Sequence, residues 1–248
     1  MKAKLIGKCI YCLSPDAPID EHVIPKSLGG LSTLQKASCK KCADRTSFII
    51  NKTTHGENSF FGRSRIILRM PSRRKKKRPF NFKQTIIDQL TNQQTEVEIP
   101  TSDFIDTVFL PTYPLPGIMT GKTIDNGIIT DGIQMINANS EKKEVNKKYI
   151  HQFKYSSEDL PLLLALIAYC NAVNDFGLDE VIDSPIIPLI KGEKHDLGMW
   201  IGTASNIVME RRPKLVDVMY LTPNRHILIR IKFFAWLKDI PEYLITVK

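Results

Sequence analysis

Long apolar runs are missing from this sequence of 248 residues. The longest apolar stretch, Leu160–Ala168, is shorter than the ~18 residues that a membrane span requires, and it contains Pro161. The first eight residues include three lysines, but no long apolar segment follows them, so we expect no secretory signal. The sequence therefore predicts a protein with no membrane partner and a cytoplasmic location.

Cysteine is scarce as well, with five residues in the chain. Four of them form two Cys-x-x-Cys pairs, Cys9/Cys12 and Cys39/Cys42, with 26 residues between the pairs. In a reducing compartment such pairs favour a metal site over disulfides. Two such turns complete a closed tetrahedral site, which is typical of structural zinc. We therefore predict that these cysteines bind a Zn²⁺ that stabilises a small segment and takes no part in catalysis.

Acidic residues are few at one end of the chain. Residues 1–79 contain 18 Lys and Arg against 5 Asp and Glu, a net charge of +13, whereas residues 80–248 contain 17 against 21, a net charge of −4. This asymmetry favours nucleic acid, with DNA in first place, as the partner of the basic part, although a solubilising surface is the alternative. The predicted contacts are Lys40, Lys41, Arg45, Arg63, Arg65, Arg69, Arg73, Arg74, Lys75, Lys76 and Lys77.

Composition divides the chain into three segments. Residues 1–55 hold the paired cysteines, residues 56–79 form a basic connector, and residues 80–248 have the pattern of a mixed α/β domain. The third segment has no motif that indicates catalysis. By default we expect it to sense, dock or dimerise, either as a homo-oligomer or with a partner protein.

Within the third segment, several elements are predicted from local pattern. Thr95–Ile99 and Leu215–Leu221 have the composition of strands. Leu160–Val173 has the pattern of a helix that is apolar all round and therefore buried, and we expect it to end near Gly177.

The stretch between the two cysteine pairs contains the residues that we predict to be catalytic. It reads IDEHVIPKSLGG over residues 19–30, with Glu21 directly before His22. A neutral imidazole can take a proton from water near neutral pH, and a carboxylate is a hard ligand suited to Mg²⁺ or Mn²⁺. The stretch resembles the HNH (ββα-metal) endonucleases, in which an acid–His pair ends the first strand and an apolar–Pro step and a Gly-Gly loop follow. In many zinc-bearing members two Cys-x-x-Cys pairs bracket this core, as they do here.

The resemblance implies an α+β fold in which an N-terminal zinc-stapled ββα-metal (HNH) module, residues 1–55, precedes the mixed α/β domain. It also implies a metal-dependent endonuclease with His22 as general base and Glu21 as a ligand of a catalytic Mg²⁺ or Mn²⁺. A role in defence against foreign DNA is part of the same implication.

The sequence departs from the HNH pattern directly after the last cysteine. The family usually has Asn or His there, and this chain has Ala43, which cannot bind a metal. We predict Asp44 as the second ligand of the catalytic ion, because it carries the charge that Mg²⁺ prefers. The other donors that remain open are Thr46, Ser47, Asn51 and His55.

Two other functions remain open at this point. If no residue replaces the missing ligand, the module binds nucleic acid without cutting it. Alternatively, the larger segment carries the activity, and the basic part only anchors it.

Overall fold

The computed structural model describes residues 3–56, 59–62, 64, 81–87, 91–100, 107–137, 149–150, 156–204, 214–221, 226–237 and 240–248. Helices and strands alternate irregularly along these residues, so the predicted mixture of α and β structure is confirmed. In the part of the chain that is described, no helix is long and apolar enough to cross a membrane.

The N-terminal unit is a three-stranded sheet followed by one helix. Strand β1 (Ala3–Leu5) runs parallel to β3 (Thr33–Ser38), and β3 pairs antiparallel with β2 (Ile19–His22). A 3-10 turn over Lys26–Leu28 lies between β2 and β3, and α1 (Lys40–Thr54) begins two residues after β3 ends. The order β2, β3, α1 is the strand–strand–helix order that the resemblance implies.

A bulge interrupts the pairing of β2 with β3 opposite Asp20. Ile19 pairs with Ser38 and Glu21 pairs with Leu34, so β3 has two more residues than β2 between these pairs. Lys36, in the bulge, has a left-handed φ of 49°, and its amide donates to the Asp20 carboxylate at 2.9 Å. The Asp20 carboxylate thus accepts a hydrogen bond from the Lys36 amide in place of a partner on β2. The bulge also increases the twist of the strands just before Glu21.

The loop after His22 closes tightly at Gly30. A Cβ atom on residue 30 would lie 1.7 Å from the carbonyl oxygen of Ile24. We expect Gly30→Ala to lower the free energy of unfolding by about 2–3 kcal/mol, since the backbone must shift to admit the methyl group. Urea unfolding measures the change. Gly7→Ala is the control from the same unit: it has a left-handed φ of 79° but open space around the added Cβ, so it should cost about 1 kcal/mol. Equal losses in the two variants would contradict the proposed overlap.

The rest of the core is built around one helix, α3 (Asp159–Phe176), which ends before Gly177. Its residues from Leu160 to Val173 are almost all buried, which confirms the predicted buried helix. The helix packs against α1 and against one antiparallel sheet of strand order β10-β11-β12-β9. The strands of this sheet are β9 (Ile201–Ala204), β10 (Val216–Leu221), β11 (Leu228–Phe233) and β12 (Glu242–Thr246).

One apolar core joins the N-terminal unit to the later part of the chain. It contains Leu34 and Ile49 of the first unit, the length of α3, and residues of the sheet as far as Val247. Phe61 extends it, with its ring centroid 4.7 Å from that of Phe233. The segment boundaries at residues 55 and 79 remain predictions. The one apolar core contains residues from before residue 55 and from after residue 79.

Two small antiparallel sheets and four short helices complete the described residues. The sheets have the strand orders β5-β4-β8 and β6-β7. The predicted strands at residues 95–99 and 215–221 are confirmed to within one residue at each end. The bounds are β4 (Asn81–Ile87), β5 (Gln94–Pro100), β6 (Thr107–Thr112), β7 (Gly132–Asn137), β8 (Tyr149–Ile150), α2 (Gly117–Thr120), α4 (Leu178–Val181), α5 (Ile187–Lys191) and α6 (Leu197–Trp200).

Candidate functional site

The four paired cysteines lie together beside the start of α1. Their Sγ atoms all lie within 4.8 Å of one another, and those of Cys12 and Cys39 are 3.7 Å apart. A tetrahedral zinc site with Zn–S bonds of about 2.3 Å places its sulfur atoms roughly 3.8 Å apart. The clustering of Cys9, Cys12, Cys39 and Cys42 is confirmed. Across the described ranges, no other group of three or more His, Cys, Asp and Glu side chains is placed to hold a metal.

Backbone hydrogen bonds shape the first cysteine pair. The Leu13 amide donates to the Cys9 carbonyl at 2.9 Å, and the Cys9 amide donates to the Ser14 carbonyl at 2.8 Å. The Ile10 amide donates to the Ala37 carbonyl at 2.8 Å, which fastens this turn to β3 just ahead of the second pair. The two turns are therefore held side by side by the backbone as well as by any shared ion.

The thiols differ in their surroundings. The backbone amide of Cys42 lowers the pKa of the Cys39 thiol, as expected for a group at the start of a helix. Burial raises the pKa of the Cys42 thiol and, to a smaller degree, that of Cys12. A bound cation deprotonates the thiols that coordinate it, so a metal would hold all four as thiolates. The donor set fits Zn²⁺ in a closed site whose role is structural.

One electrostatic effect and one hydrogen bond link the later part of the chain to the N-terminal unit near the cysteine cluster. Lys191, at the end of α5, pairs with Glu193 at 2.7 Å, and the pKa of its amine is raised first by Glu193 and then by the thiols of Cys42 and Cys12. Arg45 on α1 donates from Nε to the carbonyl of Ile190 at 3.0 Å. Sequence reasoning missed the contact between Arg45 and Ile190, because these residues lie 145 positions apart.

Glu21 is the buried acid of the N-terminal unit, with 6% of its surface exposed. The hydroxyl of Thr46 on α1 donates to Glu21 Oε1 at 3.1 Å. Burial raises the pKa of Glu21 to about 7, although hydrogen bonds from Ser38 and Thr46 act in the opposite direction. The carboxyl group therefore changes its charge near neutral pH, where a group that binds a cation or exchanges a proton is useful.

The raised pKa of Glu21 predicts a pH dependence of stability. Because the folded protein binds this proton more tightly than the unfolded chain, the stabilisation is complete below about pH 4.5 and is lost as the pH rises through about 7. We expect the free energy of unfolding of the wild type to fall, relative to that of Glu21→Gln, by about 2 kcal/mol between pH 5.5 and pH 8. Urea unfolding of the zinc-loaded proteins measures the difference, and Glu180→Gln, at a half-exposed position, is the control. A constant difference between wild type and Glu21→Gln over this range would show that Glu21 titrates normally.

His22 is the last residue of β2 and is half-buried. It pairs with Thr33, and the next residue, Val23, is held by a hydrogen bond from its amide to the Ser32 carbonyl at 3.1 Å. Neighbouring side chains of a regular strand point to opposite faces, so Glu21 and His22 can serve one site only where the strand ends or bends. Strand β2 ends at His22, and its pairing is bulged immediately before Glu21.

The helix residue that contacts Glu21 is not the one predicted from charge. Asp44 is exposed, and its carboxylate pairs with the Lys40 amine at 2.5 Å. Ala43 and Thr46, three positions apart, lie on the buried face of α1, whereas Asp44 is turned by about 100° from Ala43. The role of Asp44 as a metal ligand remains a prediction, and Thr46 is the helix side chain that reaches the buried acid.

The predicted nucleic-acid contacts fall into two groups. Lys40 and Lys41 are exposed in the first turn of α1, and the Arg45 guanidinium lies 5.7 Å from the ring centroid of the half-exposed Phe48. The others lie outside the described residues: Arg63, Arg65, Arg69, Arg73, Arg74, Lys75, Lys76 and Lys77.

Tyr11 of the N-terminal unit and Cys170 of α3 are buried polar groups whose contact no local sequence pattern predicts. The Tyr11 hydroxyl and the Cys170 thiol lie 3.4 Å apart, and both are buried. Burial is the main cause that raises the pKa of each, and the charge of Glu21 adds to both shifts. The acid of β2 is therefore close enough to sense residues of α3 electrostatically.

Comparison of the chain with models of known protein families, with curated proteins and with solved structures finds no match. The functional argument therefore rests on the residues of the site. What these establish is a cluster of four cysteines able to bind zinc in an α+β protein.

Proposed function

We propose that the protein is an HNH-type endonuclease that hydrolyses phosphodiester bonds of nucleic acid, with DNA as the expected substrate. The observation that carries the proposal is the pair formed by the buried Glu21 and by His22 at the end of β2. This pair lies within a strand–strand–helix unit, and the cysteine cluster adjoins the start of its helix. The cysteines would hold one Zn²⁺ that keeps the unit folded.

His22 is assigned the role of general base. Its ring is half-buried, so one part of it can be reached by water while the rest is held by the protein. An imidazole with a pKa near ~6.5 accepts a proton from the attacking water at physiological pH. His22 is the last residue of its strand, and a Pro and a Gly-Gly loop follow it, as in the family that the motif resembles.

Glu21 is assigned to a Mg²⁺ or Mn²⁺, which when bound would neutralise charge on the phosphate oxygens. One carboxylate together with waters and a substrate phosphate is a common ligand set for Mg²⁺. The Thr46 hydroxyl holds the carboxylate by donating to Oε1, and Ser38 is a second hydrogen-bond partner of the same group. Since the pKa of Glu21 is about 7, affinity for the ion should rise with pH through that value.

A second candidate function is a zinc-stabilised unit that binds nucleic acid without cutting it. It is favoured by Ala43 at the position of the usual third member of the HNH signature and by the exposed Asp44, which is paired with Lys40. Under this alternative, the basic residues would still bind a phosphate backbone with steep salt dependence.

Cleavage by the zinc-loaded protein distinguishes the two candidates. Supercoiled plasmid and labelled DNA and RNA strands are incubated in Mg²⁺, in Mn²⁺ and in buffer without added divalent ions. The proposal expects strand breaks only with the added ions. Salt-sensitive binding with no cleavage in any condition would support the second candidate, and the absence of both binding and cleavage would exclude both.

A further inference from the structure

We propose that Asn171 on helix α3 is a positioning residue for His22 and that it acts by holding the end of strand β2. The role of His22 as general base comes from the proposed function, whereas the contact between Asn171 and the end of β2 does not depend on it. It also assigns a role in the active site to the part of the chain beyond residue 80, which carries no catalytic motif of its own.

The side chain of Asn171 joins α3 to β2 directly. Its Nδ2 donates to the carbonyl of Val23 at 3.2 Å, which belongs to the residue after His22. The same nitrogen donates to the carbonyl of Ile167 at 2.7 Å, one turn back in the helix. Asn171 is 6% exposed and Val23 is 4% exposed, so water does not compete freely for these hydrogen bonds.

Both sides of the residue after His22 are consequently fixed. The Val23 amide donates to the Ser32 carbonyl, and the Val23 carbonyl accepts from Asn171. The next carbonyl, that of Ile24, lies against Gly30, where a Cβ atom would approach it to 1.7 Å. The path of the chain leaving His22 is thus set by hydrogen bonds on two sides and by close backbone packing on a third.

Tyr220 on β10 contacts the amide oxygen of Asn171. Its hydroxyl lies 3.4 Å from Asn171 Oδ1 and also has Asp175 as a hydrogen-bond partner, and its ring makes an edge-to-face contact with Phe176 at a centroid distance of 5.4 Å. With the oxygen of the amide facing Tyr220, the nitrogen must face Val23. A chain of contacts therefore runs from strand β10 through α3 to the residue beside the base.

The reason that this arrangement bears on catalysis is geometric. A general base must lie within hydrogen-bond reach of the proton that it takes, and a displacement of about 1 Å can lower a rate by roughly 100-fold. The backbone at His22 has its ladder partner on one side only, because β2 is at the edge of its sheet. The hydrogen bond from Asn171 to the Val23 carbonyl fixes the end of the strand from the side that faces the core.

The test compares Asn171→Leu with Asn174→Leu, the same change one turn further along α3, where the amide donates only to Asp175 in the described contacts. Tyr220→Phe is the milder variant, which keeps Asn171 and removes only the hydroxyl. The first readout is the ¹⁵N spectrum of the histidine rings, in which His22 is identified among the five histidines by its loss in His22→Gln. This readout requires no cleavage activity.

We expect the His22 ring resonances and the midpoint of their pH titration to move in Asn171→Leu and, by less, in Tyr220→Phe. They should stay in place in Asn174→Leu. In cleavage assays well below the melting temperature, kcat should fall about ten- to 100-fold in Asn171→Leu with KM changed less than about twofold. Asn174→Leu should remain within about twofold of the wild type in both constants.

Each outcome decides one of the two claims. Unchanged His22 resonances in a folded Asn171→Leu or Tyr220→Phe protein would overturn the positioning role, whatever the cleavage assay gives. A wild type that does not cleave, with His22 resonances that respond to Asn171, would overturn the nuclease and leave the structural link intact. If Asn171→Leu does not fold, Tyr220→Phe decides the question alone.

Discussion

Replacement of His22 by alanine is expected to lower Mg²⁺-dependent cleavage of DNA by about 10²–10⁴-fold, the contribution typical of a general base. Binding of DNA should persist with its salt dependence unchanged, because phosphate contacts by Lys and Arg do not involve the imidazole. Single-turnover cleavage and fluorescence anisotropy of labelled DNA measure the two quantities on the same preparations. The rate of the wild type should also rise with pH through about 7, because Glu21 binds the ion as a carboxylate.

His226→Ala is the control for this experiment. His226 is exposed in the later part of the chain, and its Nδ1 lies 3.2 Å from the Lys248 carbonyl oxygen. Its removal should leave the cleavage rate within about threefold of the wild type, since surface substitutions away from a site have small effects. Equal losses in the two variants, or cleavage by His22→Ala at the wild-type rate, would exclude His22 as the base.

Loss of the metal from the cysteine cluster is expected to unfold the N-terminal unit. Apparent binding energies of structural zinc in small domains are about 10–16 kcal/mol, which is comparable to the whole free energy of unfolding of a typical protein, roughly 5–15 kcal/mol. We expect one zinc per chain by elemental analysis, and none in Cys9→Ser. Hydrogen exchange should accelerate throughout β2, β3 and α1 of Cys9→Ser and also in α3, because these elements share one core.

Cys170→Ala is the control for the zinc prediction. Cys170 is buried in α3 and lies outside the cluster of four, so this variant should retain one zinc per chain. Its stability should fall modestly, because a small cavity forms next to Tyr11. A wild type that folds without zinc, or a Cys9→Ser protein that keeps the full metal content, would show that the cluster has another role.

The features that were predictable from the sequence have local causes. The cysteine cluster follows from the spacing within each pair, and helix α3 follows from a continuous apolar run that stops at Gly177. The strand–strand–helix order of the N-terminal unit was predicted from the resemblance of a short motif, residues 19–30, to the HNH pattern. The Cys-x-x-Cys spacing, the apolar run and the short motif are each local patterns, and each predicts the structure of the residues that form it.

The features that escaped prediction depend on distant residues or on helix phase. The contacts of Asn171 with Val23 and of Arg45 with Ile190 join parts of the chain that no local pattern connects. Thr46 and Asp44 show a different cause: charge favoured Asp44, but the phase of α1 turns Asp44 to solvent and Thr46 toward Glu21.

The shared core has a consequence for how this protein can be divided or recombined. Tyr11 of the first unit lies against Tyr169 and Cys170 of α3, and Val23 depends on Asn171 for a hydrogen bond. A fragment ending near residue 56 would leave these surfaces open to water and should aggregate or remain unfolded even when zinc is supplied. Grafting the N-terminal unit onto another protein would require a helix that presents the same three side chains.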